Sequence, residues 1–412
     1  METLPTFWTM DELKLLAGTT LAPATMSKLK SLHREYDLLS SSAANTRWYS
    51  LVQDHLDFDD WLQVDAMYRS RALEYPGIGH CMVPCIDLAN HSSHEGTIAI
   101  YEQDSVGNAV LVLRDGKTLK GNDEVTISYG DEKGACEMLF SYGFIEEGMT
   151  SAETLFLSLS IPDKDPQQAG KQSIADCAPG FKLIDAGDEE IDWTGDYIWL
   201  LCVNSDDDLH FDIARAVDGE EEIYAFLGEH MITDGAAELR RLLAQSELWD
   251  VYRLRAVSLL QQRVFEQLQV LVGTQEGVEG VEVADGEVME GTGVRREVLG
   301  KVLRLRRLEG ELLERAYGDF ERQVSLDRFH GPWRANLGTF VRPVASQHVR
   351  GAVLLLGLTH SRCLIYLRLF HDLELKNLLW LKTHDRGTSM RRACSHGWSR
   401  PIALRRAKHA DF

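Results

Sequence analysis

Apolar residues recur at helical spacing from residue 6 to 75. Thr9 and Glu12 form a capping-box pattern ahead of Leu13, Leu15 and Leu16. Leu29, Leu32, Tyr36 and Leu39 then repeat every three or four positions. Trp48, Leu51, Val52, Trp61, Met67 and Leu73 complete the expected core of this small helical unit. From Gly79 to Ile127 the period shortens toward two, and residues 97–101, 109–113 and 124–127 read as short strands. Between them lie Ser105-Val106-Gly107-Asn108, Arg114-Asp115-Gly116-Lys117 and Lys120-Gly121-Asn122-Asp123, all turn chemistry. A compact antiparallel β region is expected there.

The residues from Gly134 to Tyr142 read as a short helix closed by Gly143 as C-cap, with one more strand near residues 155–159. From about Gln167 the pattern turns mostly helical. Residues 236–272 carry a long amphipathic repeat, residues 295–323 a second, and the two are expected to pair as an antiparallel hairpin. Residues 273–293 between them are rich in Gly, Asp and Glu and read as a mobile acidic loop. After about His330 no clean period persists. The expected organisation is a helical unit over 1–76, a β core over 77–162, a helical domain over 163–330, and a poorly ordered basic tail over 331–412. A basic targeting or binding segment is the alternative for that tail.

Length and charge sharpen this outline. The chain has 412 residues, room for two or three domains, and a formal net charge of -21. The charge is uneven. Residues 331–412 hold 14 Lys and Arg against 4 Asp and Glu, which leaves 29 against 60 in the rest. The acidic body makes nucleic acid an unsuitable general partner. It reads either as solvated helix faces or as a field that steers a Lys-rich protein toward the chain. Seven cysteines follow no disulfide framework, so reduced thiols and a cytoplasmic or nuclear location are expected. No secretory signal opens the chain, and no apolar run reaches bilayer length, so no membrane partner is expected.

The candidate chemistry lies between Val83 and Phe144. An apolar run leads into Asp87-Leu88-Ala89-Asn90-His91, and two Tyr-Gly pairs follow at Tyr129-Gly130 and Tyr142-Gly143. Apolar walls with a few fixed polar groups make a ligand site. His80, Cys81, Cys85, His91 and His94 are crowded enough to suggest zinc. Their spacing fits no common finger, and Cys81 and Cys85 lie on a strand-like run, so no metal is expected.

Four motifs in order resemble the SET-domain protein methyltransferases: Tyr68-Arg69-Ser70-Arg71-Ala72-Leu73; Pro84, Asp87, Asn90 and His91; Ile127-Ser128-Tyr129-Gly130; and Tyr142-Gly143-Phe144. Their spacing is most similar to the Rubisco large-subunit methyltransferase-like branch. Phe7-Trp8 and Gly18-Thr19-Thr20-Leu21 look like the helical insert of that branch. The resemblance covers about 325 residues. It implies an α+β fold: a small antiparallel β SET core with a helical insert, followed by an all-α substrate-binding domain. It further implies S-adenosyl-L-methionine as cofactor and a protein lysine as acceptor, with histidine a close variant.

Residue by residue, the resemblance makes Tyr129 the catalytic hydroxyl, or else a tyrosine packed at a strand end. Asn90 and His91 would hold the cofactor, or form a satisfied turn cluster. Tyr142 and Phe144 would be aromatic walls of its site, or plain core. Arg71 would meet the cofactor carboxylate or nearby backbone carbonyls, with Arg69 as the other candidate, or either would form a surface ion pair. Asp87 and Arg69 would contact substrate, although Asp87 could equally brace the Asn-His turn. The expected substrate is a basic, non-histone protein. The family also uses a Gly-x-Gly turn ahead of its insert. Here only Gly77-Ile78-Gly79 and Gly291-Thr292-Gly293 have that form, and neither lies at the family's position. A catalytically inactive binding module or a truncated product is therefore the alternative expectation.

Overall fold

The first helix begins where the sequence caps it. Thr9 Oγ1 accepts the Glu12 N–H at 3.3 Å, and Glu12 Oε2 accepts the Thr9 N–H at 3.0 Å. This opens α1 (Met10–Lys14), followed by α2 (Leu21–Ala43), α3 (Arg47–Val52) and α4 (Phe58–Arg71). A second capping box, Asp57 with Asp60, starts α4. These observations come from a computed structural model, which describes residues 3–52, 55–75, 78–130, 132–187, 190–215, 221–281 and 293–325. The side chains of Trp48, Leu51 and Val52 and the whole tail 331–412 lie outside the described residues.

The β core follows. Strands β1 (Leu73–Tyr75) and β2 (Gly79–Cys81) form an antiparallel pair. Strand β3 (Asn90–His91) comes next, then β4 (Ala99–Gln103) and β5 (Ala109–Leu113), which pair antiparallel. Strand β6 (Thr126–Ile127) pairs with β3, and this pair is parallel, unlike the rest of the expected β region. Helix α5 (Ala135–Tyr142) ends at Gly143, which adopts the left-handed conformation with φ 80° as its C-cap. Strand β7 (Thr154–Ser158) and helix α6 (Gln168–Ser173) lead into β8 (Gly180–Asp185) and β9 (Ile191–Thr194). Helix α7 (Tyr197–Cys202), strands β10 (Leu209–Arg215), β11 (Glu221–Leu227) and β12 (His230–Ile232), and helices α8 (Gly235–Ala244), α9 (Trp249–Gly273), α10 (Gln275–Glu279) and α11 (Arg296–Val324) complete the described chain.

The α+β class holds. The expectation that residues 163–330 are all-α is corrected. Among the described residues five strands lie in that stretch: β8 and β9 join β7 in one antiparallel sheet, and β10–β11–β12 form another. Leu209, Phe211 and Ile213 alternate with His210 and Asp212, a period of two that favours a strand over a helix. The long repeat over 236–272 is two helices, broken at residues 245–248. The loop expected over 273–293 begins with helix α10, and residues 282–292 lie outside the described residues.

Helices α9 and α11 form the expected hairpin. Leu260 and Val264 on α9 and Leu305, Leu308, Leu312 and Phe320 on α11 are fully buried, each contributing about 1.5–3 kcal/mol of transfer free energy. Buried polar groups fasten the N-terminal segment to this hairpin. Glu12, fully buried, accepts from Arg295 Nε at 2.7 Å and Arg295 N at 3.0 Å. Gly18, with φ 85°, passes so close to α9 that a Cβ would lie 2.9 Å from the Val270 carbonyl oxygen. Glu309, also fully buried, accepts the Thr20 N–H at 3.0 Å and lies 2.5 Å from the Thr20 hydroxyl. Thr20 is the N-cap of α2, so a side chain from α11 satisfies the start of a helix far away in sequence.

This clasp has a pH signature. Burial pushes the Glu309 carboxyl up to about 7, against the opposing pull of the Thr20 hydrogen bonds and Arg306. Between its unfolded value of 4.5 and about 7 the folded state keeps a proton that the unfolded state has lost. Stability therefore falls as pH rises through this window, with a limiting slope of ~1.4 kcal/mol per pH unit. Urea melts at several pH values should show that slope in the wild-type protein and lose it in Glu309→Gln. An identical slope in both would remove Glu309 as its source.

Candidate active site

Two cores meet at the site. Leu73, Tyr75, Ala99 and Ile127 form a small core of the β region, with Ala89, Tyr101, Val125 and Tyr129 half-buried against it. Tyr142 and Phe144 pack instead against the large core built by the helices. Strand β3 aligns the two. Its alternation leaves Asn90 exposed and turns His91 inward, where the imidazole is only 3% exposed.

His91 is held at both ring nitrogens. Its Nδ1 accepts the backbone N–H of Tyr129 at 3.0 Å. The ring proton therefore sits on Nε2, which donates to Glu146 Oε1. Glu146 Oε2 in turn accepts the Ser93 hydroxyl at 2.6 Å. Burial pushes the Glu146 carboxyl up, but the hydrogen bonds from Ser93 and His91 outweigh it and hold the group below its ordinary value. Arg304 on α11 donates to the carbonyls of Ile145 and Glu146. A continuous polar path thus runs from α11 through Glu146 and His91 to the backbone of Tyr129.

The aromatic rings close around this path. Tyr129 lies 4.5 Å from Tyr142 and 5.0 Å from His91 between centroids, while Phe144 lies 6.1 Å from His91 and 6.3 Å from Tyr142. The Tyr129 hydroxyl donates to the Ala89 carbonyl at 2.8 Å, and the Tyr142 hydroxyl reaches the Tyr129 carbonyl at 3.5 Å. Burial pushes both phenols above their ordinary value, so both stay protonated at neutral pH.

Of the residues singled out from sequence, the structure brings together His91, Tyr129, Tyr142 and Phe144. Arg71 stands beside them, its charge felt at Tyr129, and faces Asp87 at 3.8 Å. Asn90 is on the same strand, but its Nδ2 donates to Glu124 Oε1 at 2.6 Å on the exposed side. Arg69 is elsewhere: it lies 4.6 Å over the Phe140 ring, donates to the Phe140 carbonyl, and reaches Thr6 Oγ1 at 3.1 Å. It also pairs with Asp65, so its contacts brace α4 against α5 and the N-terminal segment.

Sequence reasoning missed Tyr101 and Tyr75. Tyr101 lies in the strand expected over 97–101, its ring is 5.3 Å from that of Tyr75, and both pack in the core that carries Tyr129. Tyr75 is 2% exposed, and its hydroxyl has no hydrogen-bond partner among the described residues. A signal existed: a tyrosine on the inward face of a strand brings a hydroxyl that needs a partner.

The donor set suits a cationic ligand with polar ends. Protonated tyrosines offer hydroxyls at fixed positions, and aromatic faces attract cations. The unpartnered Tyr75 hydroxyl is a buried polar group of the same cluster. Among the described residues no group of three or more His, Cys, Asp or Glu is placed to hold a metal ion.

No family model matches the chain. It is 29% identical over 266 residues to SET domain-containing protein 8 of Schizosaccharomyces pombe, covering 63% of this chain and 58% of that protein. It is 26% identical over 176 residues to the chloroplastic fructose-bisphosphate aldolase-lysine N-methyltransferase of Arabidopsis thaliana, and 27% identical over 181 residues to the chloroplastic Rubisco large-subunit N-methyltransferase of Nicotiana tabacum. Each of these covers 41% of this chain and 36% of the relative. The chain thus spans little more than half, or less, of the length of the curated relatives it matches. Among solved structures, the SET domain of LSMT bound to methyl-lysine and AdoHcy superposes with a TM-score of 0.52 at 19% identity, covering 78% of this chain and 68% of that one.

Proposed function

We propose that this chain, which is similar to SET-domain proteins of the Rubisco large-subunit methyltransferase-like branch, transfers a methyl group from S-adenosyl-L-methionine to a lysine of another protein. The observation that carries this reading is the convergence of His91, Tyr129, Tyr142 and Phe144, with the Tyr129 proton committed to the Ala89 carbonyl. The relatives named as lysine N-methyltransferases support it.

His91, Tyr142 and Phe144 would line the cofactor site, with Asn90 and Arg71 at its polar end. When bound, S-adenosyl-L-methionine supplies the methyl group on a sulfonium. The chain's own residues position the acceptor. A free lysine has a pKa of about 10.4 and must lose its proton to react. A half-buried aromatic setting favours the neutral amine by desolvation. Because the Tyr129 O–H donates to Ala89, its oxygen lone pairs are left to accept an N–H of the acceptor and fix its direction. Tyr101 and Tyr75 extend the aromatic wall beside it.

The proposed partner is a basic, non-histone protein, drawn by the acidic body of the chain, and neither nucleic acid nor a membrane. The proposed compartment is the cytoplasm or nucleus, where the free thiols of the described cysteines would stay reduced.

Calorimetry with S-adenosyl-L-methionine tests the reading: a folded sample that takes up no cofactor would defeat it. In the same assay Asn90→Ala should weaken binding about fivefold, the worth of roughly one hydrogen bond. Unchanged affinity would take Asn90 out of the site.

A further inference from the structure

Tyr129 is followed by Gly130, whose positive φ suits glycine, and the stem of Lys133 passes beside it. Gly130 has φ 130°, and a Cβ there would lie 2.9 Å from Lys133 Cε and 3.4 Å from Cδ. The missing side chain is thus a seat filled by the stem of Lys133. The lysine folds back over the turn that carries Tyr129 and leaves 28% of its side chain exposed. Its ammonium lies 2.6 Å from Glu137 Oε1 and 5.9 Å from the centre of the Tyr142 ring.

Burial of most of the stem adds to the two contacts of the ammonium, so holding the side chain is near neutral in stability. Fixing a lysine side chain costs about 1.5–2 kcal/mol of rotamer entropy. An i,i+4 pair whose carboxylate is exposed returns roughly 0.3–0.5 kcal/mol, and a cation over an aromatic face about 0.5–1 kcal/mol. The position of the charge is therefore its more informative feature: a fixed cation stands beside Tyr142, itself stacked on Tyr129. Among the described residues, the other charged groups felt by these tyrosines are Glu74 at Tyr101, Glu137 at Tyr142, and Arg71, which faces Asp87, at Tyr129. Burial works against the Lys133 charge, but Glu137 and Tyr142 outweigh it and keep the amine protonated. Lys133 is then a poor methyl acceptor and a lasting positive charge. An ammonium has three donors, and Glu137 engages one.

We propose that Lys133 is a specificity-determining residue, whose ammonium receives a carboxylate side chain of the substrate immediately beside the acceptor lysine. The inference rests on the methyltransferase reading of the same site and names its substrate class: a lysine flanked by Asp or Glu, carried on a protein whose overall charge is basic. Long-range attraction to the acidic body brings the partner in, and the local contact with Lys133 sets which lysine is presented. A charged hydrogen bond is about twice as strong as a neutral one, so a carboxylate is preferred over a carbonyl. A basic flank meets like charge.

The test uses the full chain with S-adenosyl-L-homocysteine present and three fluorescent peptides. Each has one central lysine, flanked by Glu, Gln or Lys. Anisotropy should show the Glu-flanked peptide bound about tenfold more tightly than the Lys-flanked one. Lys133→Met should level the three, and Lys133→Glu should reverse their order, with melting curves establishing that both variants fold. An unchanged ranking in Lys133→Met, or no binding of any peptide, overturns the inference. Transfer from labelled donor to the same peptides separates the two readings. Turnover without flank preference defeats the role of Lys133 and leaves the methyltransferase standing. Lys133-dependent binding without turnover defeats the methyltransferase reading, and with it the claim that this contact selects a methylation site.

Discussion

Tyr129→Phe should lower the methyl-transfer rate by about a hundredfold to a thousandfold while donor affinity stays within about a factor of two. The substitution keeps the ring, so the stacking on Tyr142 and His91 survives. Only the hydroxyl is lost. In the resting protein that group donates to the Ala89 carbonyl, and losing this bond costs about 1 kcal/mol of stability, since the carbonyl is only half-buried. The rate suffers more, because an oxygen fixed on one side by Ala89 aligns the acceptor nitrogen without paying for reorganisation. The split between rate and affinity is the diagnostic. Single-turnover rates and calorimetry on both proteins measure it. Parallel losses in both would mean that Tyr129 packs the site and does not take part in the reaction.

Local devices and ordered motifs were legible in the sequence, and contacts between distant segments were not. The capping box at Thr9 and Glu12 and the C-cap at Gly143 are local devices, read from neighbouring residues and found as expected. The order of motifs located His91, Tyr129, Tyr142 and Phe144, which the fold does bring together. Tyr75 and Tyr101 were not legible as site residues, because what places them there is the meeting of β1 with β4, a contact between distant segments. Arg69 and Arg71 are two residues apart and both charged. Only the packing of α4 on α5 tells them apart, sending Arg69 to the Phe140 carbonyl and leaving Arg71 beside Asp87. The strands over 180–232 were hidden for another reason. They are short and charge-rich, and their alternation is brief next to the long helical repeats that follow.

His91→Ala should act more broadly than Tyr129→Phe. The imidazole joins three elements: the backbone of Tyr129, the carboxylate of Glu146 and the aromatic pair with Phe144. Its removal leaves the Tyr129 N–H without an acceptor and leaves Glu146 with Ser93 in place of two side-chain donors. The lost hydrogen bonds and the cavity together predict a stability loss of about 2–4 kcal/mol. The rate should fall at least as far as in Tyr129→Phe, since the whole tyrosine is released, and donor affinity should fall with it. Glu146→Gln separates position from charge. The amide can still accept from Nε2 through its oxygen, so the ring stays in place and the effect should be several-fold smaller. Because Arg304 holds the 145–146 backbone, Arg304→Met should reproduce part of the His91→Ala rate loss from helix α11, without touching the ring. A His91→Ala protein that melts earlier yet transfers methyl groups at the wild-type rate would show that the path from α11 to Tyr129 supports the fold and not the reaction.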